Sequence, residues 1–369
     1  MDETEWADVV SYMNTYEDGT VYNREFVRKA WPLLAIFDEA GWVRPPSGDD
    51  GGAYEVRRLE AEKAVIKARD ERNELARIQR ELARRESLVE LVKEGIRCEV
   101  SPVIGYEPHS FAKSNNDLVV HLTDIHGGIK IDNYFNSYDD EVMVERFGKY
   151  LEKVDEIRQR HSSENCYLFL GGDLVSGLIH ATLRLENNMD VVKQVKVVST
   201  VICQFIQHLS KMFGRVEVYS VPGNHSRIQP KKDDNLAGEN FDILIPFILG
   251  VMLSEYKNVT IHEDNTEPSV AMFNVRGQNV FGVHGDKDSM ENVVQKLTMV
   301  WGIKPSIVLA GHRHTNGMRT VFDTRVYESG CVSGPDSYCM DKRLRNRPEQ
   351  TVLVVTDGGV ECAYNVVLD

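Results

Sequence analysis

Five stretches of this 369-residue chain each end an apolar run by presenting a side chain able to bind a cation or move a proton. They read "DLVVHLTDIH", "CYLFLGGD", "VEVYSVPGNH", "QNVFGVHG" and "SIVLAGHRH". The residues delivered are Asp124, His126, Asp173, Asn224, His225, His284, His312 and His314. Carboxylate, imidazole and amide oxygen without thiolate suit Mn²⁺, Fe or Zn²⁺ in a reactive centre, not a structural zinc knuckle. The set is too large for one four-coordinate ion with an open position. It suffices for two ions about 3.5–4 Å apart that share a carboxylate, the arrangement that cleaves phosphate esters. Packing alone does not account for it, because burying so many uncompensated polar groups would cost several kcal/mol.

The elements that must position these groups follow from the pattern. Each apolar run reads as a buried strand, and ligands of α/β sheets collect beyond the carboxyl ends of strands. On a strand His312 and His314 would share one face. Gly311 breaks the run first, so both belong to the turn that follows Ser306–Ala310. Helices are expected over 138–161, 189–213, 239–255 and 288–301. Further strands are expected in "TRVYES", "TVLVVTD" and "ECAYNVVL". Strands alternating with helices, then a strand-rich end, predict stacked sheets flanked by helices.

The region before Leu118 is different. A helical pattern spans about 23–40, with Asn23 as N-cap and Pro32 as a kink. A turn-rich strip, "GWVRPPSGDDGG", follows it. Residues 1–53 fit either a small winged-helix-like unit or a helical cap with a loop. Residues 54–97 lack Gly and Pro until Gly95 and are rich in strong helix formers. A seam runs through Ala61, Ala64, Ala68, Leu75, Ile78, Leu82, Val89 and Val92, interrupted by Glu71 and Arg85. This imperfect coiled-coil pattern must pair with a second chain, giving a homodimer, or with its own body. Residues 98–369 form the expected catalytic domain.

Composition sets the outer bounds. Hydrophobic residues at 42% and charged residues at 27% fit a soluble globular chain. No run approaches the ~18–20 apolar residues of a membrane span. The opening "MDETEWADVV" lacks a signal-peptide pattern, and the six cysteines are scattered without CxxC. A reduced, cytoplasmic setting without disulfides is therefore expected. A net charge of −14 argues against a broad basic surface for nucleic acid, though not against a cleft that carries its own cations.

The ordered blocks DIH, GGD, GNH, VHGD and GHRH, within residues 117–330, resemble the five-block signature of the calcineurin-like metallophosphoesterases. The resemblance implies a four-layer α/β/β/α sandwich, here with an N-terminal helical extension, and a dinuclear centre between the sheet ends. Carried over, Asp124, His126 and His314 hold one metal. Asn224, His284 and His312 hold the other, and Asp173 bridges them. His225 is then no ligand; it stabilises the transition state or protonates the leaving oxygen after attack by a metal-activated hydroxide. Two departures stand out: "GNHSR" lacks the usual acidic residue after the histidine, and "GGDLVSG" is not the protein-phosphatase block.

Arg227, Lys231 and Lys232 of "RIQPKK", and His180 shortly after the GGD block, are expected to contact substrate. Arg313 and the later "KRLRNR" read as solvated, and "AGENFD" and "CVSG" carry no reading beyond turn and helix start. The expected function is a phosphodiesterase of nuclease type acting on nucleic acid. The alternatives are hydrolysis of a small phosphate ester, such as a cyclic nucleotide, and a non-catalytic binding subunit.

Overall fold

The computed structural model describes residues 113–369 except 180–186, 232–234, 237, 264, 337–338, 340–342 and 344–345, with scattered residues between 25 and 79. The chain divides into two compact units, Met1–Leu91 and Val92–Asp369. In the first unit the described residues are helical, 63–73 and Pro32 among them. The turn-rich strip, the later part of the expected rod and any pairing of it lie outside the described residues.

In the second unit, β1 (Asn116–Leu122), β4 (Cys166–Leu170), β5 (Val216–Ser220) and β6 (Val259–Ile261) run parallel. With the antiparallel β12 (Glu349–Thr356) and β13 (Gly359–Val367) they form a six-stranded sheet of order β13-β12-β1-β4-β5-β6. A five-stranded sheet has the order β10-β11-β9-β8-β7, from β7 (Val270–Val275), β8 (Gln278–Val283), β9 (Ile307–Ala310), β10 (Gly317–Val321) and β11 (Thr324–Glu328). β8, β9 and β11 are parallel within it. A short hairpin, β2 (Ile131–Asn133) with β3 (Asn136–Tyr138), follows the first block.

Side-chain alternation makes the layers. Val280, Ile307, Leu309 and Tyr327 join Val119, Phe169 and Leu353 in the core between the sheets. Their neighbours Phe281, Val308, Ala310 and Val326 point to the other face, where they meet α4 (Val293–Trp301). The period of two thus splits each strand between an inner and an outer core. α1 (Asp140–His161) packs against β1, β12 and β13, and α2 (Val191–Met212) against α1 and β5. α3 (Leu244–Met252) packs against α2 and β6. The result is the expected α/β/β/α sandwich. α1 has clear stops: Asp139 caps the N–H groups of Glu141 and Val142, and Ser162 closes it in the left-handed conformation.

The helices begin close to where the sequence places them, with two differences. The segment expected over 239–255 opens as a 3₁₀ turn, Phe241–Ile243, before α3. The segment expected over 288–301 becomes helical only at Val293. The hairpin of β2 and β3 has no counterpart in the sequence reading, and neither do β6, β7 and β10; three-residue strands such as those of the hairpin carry too short an alternation to register.

At the far end of the sandwich from the blocks, one residue ties the two sheets. Arg276, in the β7–β8 turn, pairs with Asp117 of β1 at 2.8 Å and with Glu164 just before β4 at 3.0 Å.

Candidate metal centre

β1, β4 and β5 are parallel neighbours, so their carboxyl ends share one edge. The same holds for β8 and β9 in the other sheet. The sequence breaks each strand at this edge, and the backbone there is held in unusual conformations. Asp124, His126, Asp173, His312 and His314 all have positive φ, five of ten such non-glycine residues among those described. Each costs about 1–3 kcal/mol and persists only where surroundings enforce it, commonly at functional sites. Close backbone approach adds to the constraint. A Cβ on Gly223 would lie 2.1 Å from the Asp173 amide nitrogen, and one on Gly311 would lie 2.4 Å from Asp124 Oδ2.

Around the first block, Asp124 is wholly buried. Its Oδ2 accepts from the Thr123 hydroxyl at 2.7 Å and from the His312 amide at 2.9 Å. Oδ1 makes no hydrogen bond of good geometry and faces His314 Nε2 at 3.3 Å and His126 Nε2 at 3.8 Å. The two Nε2 atoms are themselves 3.1 Å apart. Two imidazole nitrogens converging on one buried carboxylate oxygen leave a point that suits a cation.

Asp173 is equally buried. Its Oδ1 accepts from the His225 amide at 2.7 Å, while Oδ2 lacks a hydrogen bond of good geometry and lies 3.2 Å from His284 Nε2. His284 Nδ1 is 2.8 Å from the Gly171 carbonyl. A carbonyl only accepts, so Nδ1 carries the proton. Nε2 is the nitrogen that faces Asp173, and it lies 3.1 Å from Asn224 Oδ1. The His312 ring sits edge-on to His284, 5.1 Å between centroids.

The structure therefore brings the sequence-predicted residues together. Asp124, His126 and His314 form one group of converging donors, and Asp173, His284 and His312 another. A third group, His126, Asp173 and His225, sits between them, with the His225 and His126 rings 4.8 Å apart. The donor set fits a pair of divalent cations: two buried carboxylates with unsatisfied oxygens, imidazole lone pairs and an amide oxygen. An unsatisfied buried charged acceptor costs more than the ~1–3 kcal/mol of a neutral one.

The electrostatics agree with that fit. Burial opposes ionisation of Asp124, yet His314 outweighs it and holds the carboxyl at about 2. Burial likewise opposes charge on His284, but Asp173 and then Asp124 raise it to about 10. Burial, with His225 and His314 beside it, pushes His126 down to about 3. The carboxylates thus demand positive charge, while the surrounding rings resist supplying more than part of it as protons.

The substrate candidates divide. Arg227 lines a cavity of about 220 Å³ beside Asn224 and His284, with its Nε buried and without a hydrogen bond. Asn235, Asn240, Ser269, Lys287 and Asp288 also line this cavity. Lys231 is exposed farther along the loop. Lys232 and His180 lie outside the described residues. Arg313 is not simply solvated: its Nε pairs with Glu328 at 2.9 Å. Arg347 of the late basic cluster is held by Asp369.

Sequence reasoning missed the supports. Tyr138 donates to the Ile125 carbonyl at 2.7 Å and steadies the first block. Gln350 accepts from the Thr123 amide at 2.8 Å. Asn240 and Asp242, read as a mere helix start, reach the second and third blocks. Burial, with the charge of Asp173 close by, pushes Asp242 up to about 6. The only sequence signal was Asn-x-Asp opening an apolar helix, which looks like a cap.

A family model described as calcineurin-like phosphoesterase matches residues 118–344. Similar solved structures include an archaeal phosphodiesterase, 14% identical, covering 68% of this chain and 99% of that one, with TM-score 0.34. Vps29 from Entamoeba histolytica complexed with zinc is 12% identical, covering 68% and 99%, TM-score 0.30. An uncharacterised Streptococcus pneumoniae protein is 14% identical, covering 69% and 99%, TM-score 0.27. No curated protein matches the chain. Among the described residues no helix is long and apolar enough to cross a membrane.

Proposed function

The chain belongs to the calcineurin-like phosphoesterase family, and from that premise we propose that it is a dinuclear metal-dependent phosphodiesterase acting on nucleic acid. One observation carries the reading: two groups of converging donors, each built on a buried carboxylate with an unsatisfied oxygen, are linked by a third that shares His126 with the one and Asp173 with the other. Asp124, His126 and His314 would hold one cation, and Asn224, His284 and His312 the other, with Asp173 shared. Mn²⁺ suits these donors, as do Fe and Zn²⁺. When bound, such cations lower the pKa of water and offset the charge of a phosphate group.

The chain's own residues do the rest. Asp173 fixes the His225 backbone through Oδ1, which sets His225 at the edge of the centre against His126. From there His225 donates a proton to the leaving ester oxygen. The Arg227 guanidinium, with its buried Nε lacking a hydrogen bond, binds a phosphate oxygen of the substrate arm in the adjoining cavity. His180, Lys231 and Lys232 would extend this contact along a polymer. The N-terminal helix would dimerise the chain and lengthen the grip.

A second reading has its own support. The net charge of −14 repels a polyanion, and the cavity beside Asn224 is only about 220 Å³. Both favour a small diester such as a cyclic nucleotide. The test is Mn²⁺-loaded protein assayed on single- and double-stranded DNA, RNA, a cyclic nucleotide and a phosphopeptide, alongside Asp173→Asn. Wild type should hold two ions per chain and cleave a polynucleotide. Asp173→Asn should lose both ions, because a neutral amide binds hard cations poorly. Two retained ions with full activity in that variant would sink the dinuclear reading. Cleavage of the cyclic nucleotide alone would select the second reading. Bound metal without any hydrolysis would point to a binding subunit.

A further inference from the structure

Asp242 is buried, only 2% exposed. Its Oδ1 accepts from the Leu174 amide at 3.2 Å, and its Oδ2 from the Gly223 amide at 3.0 Å. Leu174 follows Asp173, and Gly223 precedes Asn224. One carboxylate therefore joins the loop after β4 to the loop after β5. Asn240 completes the grip: its Nδ2 donates to the Gly223 carbonyl at 2.7 Å, and its Oδ1 accepts from the Asp242 amide at 2.9 Å. The Gly223 residue is thus held at both its N–H and its C=O. The backbone bond from Phe241 to the Ser226 carbonyl at 2.8 Å fastens the same loop one step farther on. The two loops touch so closely that Gly223 has no room for a Cβ against Asp173.

We infer that Asp242, assisted by Asn240, is a positioning residue that sets the spacing of Asp173 and Asn224, and hence shapes the second cation position. The inference rests on the dinuclear reading above for its metal consequence, but the clamp itself does not. A carboxylate suits the task because it offers an acceptor to each of two amides that come from separate loops. Asp124, His126 and His314 are held by other contacts, so the first position should be largely indifferent to Asp242. A helix cap would predict something else: loss of α3 stability with no selective effect on either loop.

Two measurements on the full-length chain test this. In cation-free protein, hydrogen exchange of peptides covering 171–178 and 221–227 should speed by about tenfold in Asp242→Ala, with α1 peptides unchanged. Exchange at the wild-type rate, or a uniform rise across the domain, would overturn the clamp whatever the metals do. In Mn²⁺ titrations followed by electron paramagnetic resonance, Asp242→Asn should weaken the second ion by about tenfold or more and the first much less. The exchange-coupled pair signal should give way to that of an isolated ion. Equal weakening at both positions, or none, would overturn the positional effect. Asn240→Ala should shift both readouts in the same direction by less, and guards against an Asp242 variant that does not fold. If wild type binds fewer than two ions, the dinuclear reading fails, and the exchange result alone decides the clamp.

Discussion

At the residue scale, the centre depends on how few of its polar atoms are satisfied within the protein. Asp124 and Asp173 each keep one buried oxygen without a hydrogen bond of good geometry, facing only imidazole nitrogens. His225 stands apart, since its amide is bound to Asp173 while its ring lies against His126. His225→Ala should therefore keep the wild-type metal content. It should lower kcat by about 10²–10⁴ if the ring does acid–base work. Metal analysis beside steady-state kinetics checks this; a variant that loses an ion would make His225 a ligand.

At the element scale, the strands deliver the side chains and the glycine-rich turns hold them. The turn after β5 is among the most tightly packed of these. Gly223→Ala would drive a methyl group into the Asp173 backbone and side chain, 2.1 Å away. The loops after β4 and β5 must then separate. The expected cost is about 1–3 kcal/mol of stability, as for other overpacked sites, together with loss of bound metal. Thermal melting and metal analysis report the two effects separately. An unchanged melting temperature with full metal content would mean that these loops yield more easily than their packing implies.

At the scale of the whole molecule, Arg276 ties the sheets at the end remote from the centre. The Ser114 amide, then Arg276, hold the Glu164 carboxyl below its ordinary range. A depressed carboxyl contributes stability above its unfolded pKa, and that contribution is lost as pH falls through the folded value. Arg276→Met should therefore melt below wild type at pH 7, and the gap should narrow as pH falls from about 5 toward 3, through the ordinary carboxylate range. A gap that stays constant would assign the effect to packing of the arginine stem. The second compact unit, Val92–Asp369, contains all five blocks. Deleting residues 1–91 should leave hydrolysis of a small chromogenic diester intact. Activity on long DNA or RNA should fall much further if the extension grips a polymer, because remote binding energy would be lost while the chemistry stays. Equal loss on both substrates would make the extension part of the fold.

The sequence by itself determined the strands that carry the five blocks, the breaks that end them and the ligand types beyond each break. These are local facts: a period of two, a residue without a side chain, and the chemistry of Asp, Asn and His. They were enough to imply a sandwich with its polar residues at one edge. The hairpin of β2 and β3 escaped because its strands are too short to show a period. Asp242 escaped for a different reason. As a sequence it is one more acidic residue at a helix start, and its partners Leu174 and Gly223 lie 68 and 19 residues away. Only the tertiary structure decided that the nearest unpaired amides belong to two metal-side loops. In the same way, only the Gly171 carbonyl decided which nitrogen of His284 turns toward the centre. A buried polar group takes whatever partner the packed chain brings within hydrogen-bond reach, and that distance is fixed by how the sheets stack, not by spacing along the chain.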